Sequence, residues 1–373
     1  MIRVGSGNHI VRIAAMIAVM VYILQMLEMG AIVSVLFALS IVCVAASYLL
    51  KCIIRKRIKM IDLLMFALVA LAIAKAGIQF NFDYYKPAII VLCCVICIDL
   101  CPENKITEKD QRIITNLFIC AALITNYLYY FAGLRYDTFG STKYIALNMS
   151  NPNETGMWLT FLIVILWGAS LTEQSKKKYM MAICGVSLIP ILIATGSRTN
   201  LIAVFAFALA LAMLLNKGRK LRTMPKWMIW IVSLSPALLF FFYMDILVPN
   251  VDFFQKIFGF FSAEGKTLTS RVKIWSIVQQ DLRECFLLGK YGYYHTEQMH
   301  NSLATLYGRF GAFFTGIICV KFVSTLKKFD NGLIQWAMAA VWLIGCFEMG
   351  FFAGVAGMYM MILVLPALMK NHE

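Results

Sequence analysis

Long runs of apolar residues alternate with short polar segments along the whole 373-residue chain. Most runs hold roughly 18 or more apolar positions, enough for an α-helix to cross a hydrocarbon core of about 30 Å. The pattern predicts an all-α polytopic membrane protein with about 12 transmembrane helices, forming a single integral membrane domain over residues 1–373. The predicted spans are 10–27, 31–50, 61–80, 87–101, 113–131, 154–172, 179–195, 199–216, 227–248, 301–325, 332–347 and 351–368.

Composition excludes a water-soluble globular protein. The chain is 61% hydrophobic and only 14% charged, and its mean hydropathy is +0.78. These values lie far outside the soluble range. The first span predicts a retained helix and not a cleaved signal peptide, because its apolar run is long and no small-residue cleavage site precedes a soluble domain.

Basic residues predict the orientation of the spans. They gather in five short segments that alternate along the chain, and such loops face the cytoplasm. Both termini are then cytoplasmic, and residues 249–300 form a long extracytoplasmic loop. The net charge of +15 is therefore explained mainly by the basic loops that set the membrane topology. Nucleic-acid binding is not indicated, because the basic residues are scattered and belong to no nucleic-acid-binding motif. The clusters are Lys51, Arg55, Lys56, Arg57 and Lys59; Lys105, Lys109 and Arg112; Lys176–Lys178; Lys217, Arg219, Lys220, Arg222 and Lys226; and Lys327 and Lys328.

Eleven cysteines lie mostly inside predicted spans, and they imply no disulfide framework. Cys93, Cys97 and Cys101 follow an i, i+4, i+8 spacing that would place three thiols on one helix face, as metal ligands or as packing residues. Packing is favoured, because no histidine or carboxylate accompanies them at membrane depth. We therefore predict no metal site.

Ionisable residues within the spans gather toward the outer face. Lys75, Asp245, Arg309 and Glu348 lie in outer halves or turns, whereas Asp99 lies near an inner end. A transporter would show ionisable residues or broken helices near the midplane. The pattern favours a site that opens outward, although snorkelling of lysine and arginine to the interface is an alternative explanation.

Two polar helix junctions on the predicted outer face carry candidate ligand-binding residues. In residues 150–156, Asn153 and Glu154 are either capping residues or contacts to a polar ligand. In residues 194–200, Gly196 can end one helix and Ser197 or Thr199 can cap the next. Arg198 is not needed for that turn, and a guanidinium beside free helix N–H groups is suited to phosphate.

The long loop and the helix after it carry a candidate base. From Thr269 or Ser270 to Glu284 the spacing predicts an amphipathic helix with Trp275 on its apolar face. His300 and Asn301 follow at the start of the tenth helix. An imidazole there can accept a proton near neutral pH, and the positive helix end favours its neutral form. His295 competes for this role.

Together these segments resemble the bacterial O-antigen ligase and Wzy-type polysaccharide polymerase superfamily. The resemblance covers roughly residues 145–320, and it rests on the order and spacing of five motifs. They are an Asn-Pro-Asn turn, a Thr-Gly-Ser-Arg-Thr junction, Ser-Arg-x-x-x-Trp, Leu-Gly-x-x-Gly and the His-Asn pair. It implies a membrane glycosyltransferase of the C class in the cytoplasmic membrane, with an extracytoplasmic active site.

The resemblance also implies the chemistry. A saccharide on undecaprenyl pyrophosphate is transferred to a hydroxyl of an acceptor glycan, with no cofactor, metal or nucleotide. By motif position Arg198 and Arg271 hold the pyrophosphate and His300 activates the acceptor. Asn153, Glu154, Trp275, Asn301 and Arg309 are supporting candidates, and a flippase and a chain-length regulator are candidate partners.

Three functions stay open at this point. The leading hypothesis is polymerisation of capsular, exopolysaccharide or O-antigen repeat units, favoured by the modest chain length and by an outer loop that is relatively short for this superfamily. A ligase that moves finished polymer to a terminal acceptor would use the same residues. A lipid-linked oligosaccharide flippase would instead need a polar cavity that reaches both faces.

Overall fold

The computed structural model describes most of the predicted spans. It covers residues 7–55, 85–103, 106–132, 136–139, 142–149, 151–215, 223–247, 249–250, 275–280, 286–289, 300–346 and 358–369, with isolated positions at 58, 60, 62–64, 66, 67, 70, 71, 74, 284 and 348. Predictions that concern Lys75, Arg271, His295 and most of the third span lie outside the described residues.

Twelve α-helices make up most of the described chain. The first six are α1 Gly7–Met26, α2 Gly30–Arg55, α3 Tyr85–Leu100, α4 Glu108–Tyr130, α5 Pro152–Thr172 and α6 Lys177–Ser187. The others are α7 Ile189–Ala194, α8 Arg198–Leu215, α9 Lys226–Phe241, α10 Ser302–Lys327, α11 Gly332–Leu343 and α12 Met361–Leu368. A π-helix, Phe242–Leu247, continues α9, and 3₁₀ turns at Cys101–Glu103, Ile344–Cys346 and Met358–Met360 adjoin α3, α11 and α12.

The helical, multi-pass architecture predicted from hydropathy is confirmed. Within the described ranges, six helical segments are long and apolar enough to cross a membrane, and four shorter apolar helices accompany them. Helices α6 and α7 together form one such segment, Lys177–Ala194, with Pro190 at their junction. The predicted last span, 351–368, is described as helical only from Met358.

Asparagine side chains fix the starts of three helices. Asn151, Asn301 and Asn331 precede α5, α10 and α11, and each side-chain oxygen accepts a hydrogen bond from a backbone N–H two or three residues ahead, at 2.8 to 2.9 Å. These bonds satisfy N–H groups that have no partner within the helix. They set the boundaries that apolar periodicity alone leaves open.

The bundle has two ends, which we name the His300 end and the Lys321 end. At the His300 end α5, α8 and α10 begin and α11 finishes, since the Asn301 side chain donates to the Cys346 carbonyl at 2.9 Å. At the Lys321 end the last turns of α5, α10 and α12 meet. There the Thr172 hydroxyl contacts the Leu368 carbonyl at 3.3 Å, and Thr325 donates to Ile98 at 3.0 Å.

Described basic clusters gather at the Lys321 end. Lys51 at the end of α2 donates to the Asp99 carbonyl at 3.0 Å, and Lys327 closes α10. Between α5 and α6, the hydrogen bond from the Ser175 N–H lowers the pKa of Glu173, and Lys177 and Arg112 add to the effect. Basic segments that are far apart in sequence therefore share one end of the fold.

A short β-hairpin interrupts the polar segment between α4 and α5, which the hydropathy analysis treats as loop. Strands β1 (Tyr136–Phe139) and β2 (Thr142–Ile145) pair antiparallel, with Tyr136 opposite Ile145. The hairpin is a local addition to an all-helical fold, and the predicted fold class is unchanged. Tyr144 extends from β2 to the turn before α8, where a Cβ added to Gly196 would collide with its ring.

Helix α10 is broken at Gly311, where the prediction has one continuous span. Gly311 has φ 75° and ψ −179°, a conformation essentially restricted to glycine. A turn at residues 286–289 inserts there: Ala312 N–H donates to the Phe286 carbonyl at 2.8 Å and Phe313 N–H to Leu287 at 3.3 Å. The loop backbone thus replaces the hydrogen bonds that the break removes from the helix.

Gly311→Ala should destabilise the protein strongly, because the strained backbone costs about 1–3 kcal/mol and the new methyl group would also collide with the Leu287 carbonyl. Gly316→Ala, five residues further along the same helix, is the matched control. An added Cβ meets nothing within 4 Å there, and alanine favours the helix by about 1 kcal/mol. Thermal unfolding in detergent measures both variants, and equal midpoints would contradict the described break.

Candidate functional site at the His300 end

The starts of α5 and α8 pack directly against each other. Buried Asn200 donates to the Ser197 hydroxyl at 2.7 Å and lies 3.5 Å from the Asn153 carbonyl oxygen. Gly156 permits this approach, because an added Cβ would lie 2.8 Å from the Asn200 side-chain nitrogen and 2.9 Å from the Ser197 Cβ. Two positive helix ends therefore converge at one place.

Arg198 is the first residue of α8, and its side chain is exposed beside this junction. Gly196 ends the preceding helical segment with φ 68°, as predicted for a stop. Thr195 and Ser197 on either side of it are buried, so the turn directs Arg198 outward. An exposed guanidinium beside two helix N-termini forms a favourable environment for a dianion such as pyrophosphate.

Asn153 and Glu154 lie in the first turn of α5, and the structure gives each a local contact. Asn151 is the capping residue, and it accepts from the Asn153 backbone N–H at 2.8 Å. The Glu154 carboxylate accepts from Gln25 on α1 at 3.1 Å. The bond to Gln25 gives the Glu154 side chain a structural role, whereas the cap uses only the backbone of Asn153. Both side chains are half-buried next to the junction with α8.

Asn301 holds the start of α10 in place. It is fully buried, and its side-chain nitrogen donates to the Pro236 carbonyl at 2.8 Å and to the Cys346 carbonyl at 2.9 Å. Its side-chain oxygen accepts from the Ala304 N–H at 2.9 Å. Three hydrogen bonds thus tie α9, the 3₁₀ turn after α11 and α10 together beside His300.

His300 immediately precedes Asn301 and has a strained backbone conformation. Its φ is 47°, which is unusual for a residue other than glycine, and its side chain is 24% exposed. The imidazole Nδ1 lies 3.1 Å from Oε2 of Glu348, whose side chain is only 6% exposed. Sequence reasoning noted Glu348 as an outer charge but did not connect it to His300.

The turn Ile344–Cys346 links the two parts of the site. It packs against α8, the helix that Arg198 begins, and against α9 and α10. Ser302 donates to the Gly345 carbonyl at 3.2 Å, and an added Cβ at Gly345 would collide with that hydroxyl. The described residues thus bring His300, Glu348 and the α8 helix to the same end of the bundle.

Trp275 and Arg309 flank this region, and Arg271 lies outside the described residues. Trp275 begins a helical stretch, 275–280, and is fully buried, with its ring centroid 4.8 Å from that of Tyr243 and 5.2 Å from that of Phe240. This packing favours a structural role over sugar stacking. Arg309 is half-buried two residues before the α10 break and makes no ion pair with a described carboxylate.

Sequence reasoning missed a second charged cluster at the Lys321 end. Lys321 of α10 forms a buried ion pair with Asp62 and lies 3.7 Å from Asp99, which is 3.8 Å from Lys51. Tyr48 donates to Asp62 at 2.6 Å. A cavity of about 10 Å³, near the room that one water needs, adjoins the cluster. The spans are therefore less free of charge than predicted.

The cysteines of α3 are buried. Among the residues that the structure describes, no group of three His, Cys, Asp or Glu side chains is placed to hold a metal ion. Cys101 instead contacts the Ile98 carbonyl at 3.3 Å. This arrangement is that of packing residues.

Comparisons with protein-family models, with curated proteins and with solved structures found no match to this chain.

Proposed function

We propose that this protein is a membrane glycosyltransferase that polymerises oligosaccharide repeat units carried on undecaprenyl pyrophosphate. The observation that carries the proposal is the pair of His300 and Glu348 at the end of the bundle where Arg198 begins α8. A base with a carboxylate partner and an exposed guanidinium at converging helix ends are the minimum equipment for displacing a pyrophosphate. The motif resemblance supports the same chemistry.

The reaction assigns a role to each group. The acceptor hydroxyl oxygen attacks the anomeric carbon of the donor saccharide, and the bond from that carbon to the pyrophosphate oxygen breaks. His300 takes the hydroxyl proton, while Arg198, together with Arg271, stabilises the negative charge that develops on the leaving undecaprenyl pyrophosphate. Protonated His300 then returns its proton to the departing phosphate or to water. The lipid pyrophosphate, and not a nucleotide, drives the transfer.

We also propose that the His300 end faces the outside of the cytoplasmic membrane. The clustering of described basic residues at the Lys321 end supports this orientation, because basic loops stay in the cytoplasm. An impermeant thiol reagent applied from outside should then reach a cysteine at position 265 and not one at position 55. The opposite labelling pattern would reverse the orientation.

Ligation is the second candidate function, because it needs the same base and arginines. A transporter is the third, because the Lys321 cluster places charged residues inside the bundle. Purified protein in lipid, supplied with a lipid-linked repeat unit, separates the three functions by gel and mass spectrometry. Elongated lipid-linked chains identify a polymerase. Transfer that occurs only to a terminal acceptor identifies a ligase, and movement of the lipid across the bilayer without any transfer identifies a flippase.

Arg198→Ala should lower polymerisation about 10²- to 10³-fold, because a preorganised donor to the developing charge is lost in the transition state. Arg198→Lys keeps the charge but not the planar fork, and we expect intermediate activity. Exposed Arg112, which forms an i, i+4 pair with Glu108 on α4, provides the control variant Arg112→Ala. Unchanged polymerisation by Arg198→Ala would remove Arg198 from the proposed site.

A further inference from the structure

We propose that Glu348 is the positioning residue of His300 and fixes which imidazole nitrogen receives the proton. This inference rests on the proposed function, in which His300 is the base. Glu348 holds the proton on Nδ1, so that the lone pair of Nε2 is directed to the acceptor hydroxyl. Glu348 lies outside the five sequence motifs, so this role adds a residue to the proposed mechanism.

The geometry fixes both partners relative to each other. Nδ1 and Oε2 are 3.1 Å apart, within hydrogen-bond reach. Asn301, the neighbour of His300, donates to the carbonyl of Cys346, two residues before Glu348. The Glu348 backbone N–H donates in turn to Ile344 at 3.0 Å. Hydrogen bonds therefore hold the two short segments that carry His300 and Glu348 next to each other.

The chemistry of the partners selects one tautomer. A neutral imidazole has one N–H and one lone pair, and an ionised carboxylate can only accept. A hydrogen bond between them therefore places the proton on Nδ1 and leaves Nε2 as the base. When Nε2 takes the acceptor proton, the imidazolium lies beside a carboxylate that stabilises its positive charge. A histidine and carboxylate act in this way in hydrolytic triads.

A purely structural role explains the carboxylate less well. Asn301 and Ser302 already tie the start of α10 to its neighbours by three side-chain hydrogen bonds, two to the turn Ile344–Cys346 and one to Pro236 of α9. A carboxylate that is only 6% exposed in an apolar protein is costly to retain. His300 moreover holds φ 47°, a strain that persists only where the surroundings enforce it. A role in directing Nε2 toward the acceptor hydroxyl explains why both the buried carboxylate and the strained backbone are retained.

The first test reads the tautomer directly, without catalysis. Full-length protein labelled with ¹⁵N-histidine contains four histidines, and His300→Ala identifies the signal of His300 by its loss. We expect the Nδ1–H form in the unmodified protein and a mixture of both tautomers in Glu348→Gln, because the amide can donate as well as accept. An unchanged His300 signal in Glu348→Gln would overturn the proposal. Glu348→Ala, which also removes the carboxylate, supplies the same reading if the glutamine variant does not fold.

The second test separates positioning from binding. Glu348→Gln should lower kcat about 10²-fold or more and change KM for the lipid-linked donor less than about twofold, because the base is misaligned while the donor site is intact. Glu348→Asp should recover part of kcat. Glu284→Gln is the control, since Glu284 is exposed and contacts Gln280 at 2.9 Å.

The two proposals fail in different ways. Full activity of His300→Ala would end the proposed mechanism, and with it the role of Glu348 as a positioning residue. An inactive His300→Ala variant together with unchanged kcat in Glu348→Gln would leave His300 as the base and remove only Glu348.

Discussion

Replacing His300 by alanine is expected to lower polymerisation of a lipid-linked repeat unit about 10²- to 10⁴-fold. This range is what a positioned general base contributes to proton transfer. Binding of the donor should persist, because the proposed pyrophosphate site consists of Arg198 and the starts of α5 and α8 and does not include the imidazole. The measurement is the initial rate of chain elongation, with donor binding determined on the same preparation.

His295→Ala is the matched control for this experiment, because it removes the competing histidine of the same segment. We expect polymerisation by that variant to stay within about threefold of the unmodified protein, since no proton transfer is lost. The reverse result, an inactive His295→Ala beside an active His300→Ala, would transfer the role of base to His295. Loss of activity in both variants would indicate that the segment acts through its folding.

Lys321→Met is expected to destabilise the protein by about 3–5 kcal/mol, because it leaves the buried carboxylates of Asp62 and Asp99 without one of their cations. The loss should appear as a lower unfolding midpoint in detergent. Lys51 still lies 3.8 Å from Asp99, so Asp62 carries most of the penalty. The lysine therefore acts mainly by neutralising Asp62 between α2, α3 and α10.

The double variant Lys321→Met with Asp62→Asn tests that explanation. Removing both charges should recover much of the lost stability, because no uncompensated carboxylate remains at Asp62. Lys328→Met, an exposed lysine just beyond the end of α10, is the control and should change stability by less than about 0.5 kcal/mol. A single variant as stable as that control would mean that the ion pair contributes nothing.

Local features of the chain were predictable from the sequence. Helix boundaries at Asn151 and Gly196 follow from the chemistry of capping and from the left-handed turn, both of which act within a few residues. Membrane crossing follows from the length of the apolar runs. The hairpin was predictable too, since Gly140 and Ser141 separate two runs rich in tyrosine, threonine and phenylalanine.

Contacts between distant segments were not predictable from one sequence. Glu348 lies 48 positions after His300, and Lys321 lies 259 positions after Asp62. Neither pair leaves a periodic signal, because each residue alone resembles an interfacial charge. Which charges meet is decided by how the helices pack, and hydropathy does not encode that packing.

The break at Gly311 couples the turn at residues 286–289 thermodynamically to α10. The amides of Ala312 and Phe313 are hydrogen-bonded to carbonyls of Phe286 and Leu287, so the turn cannot leave without exposing two donors in an apolar bundle. Loop release and fraying of the helix are consequently one cooperative event. Hydrogen exchange at the amides of Ala312 and Phe313, in the middle of α10, should therefore measure how often the turn at residues 286–289 is released.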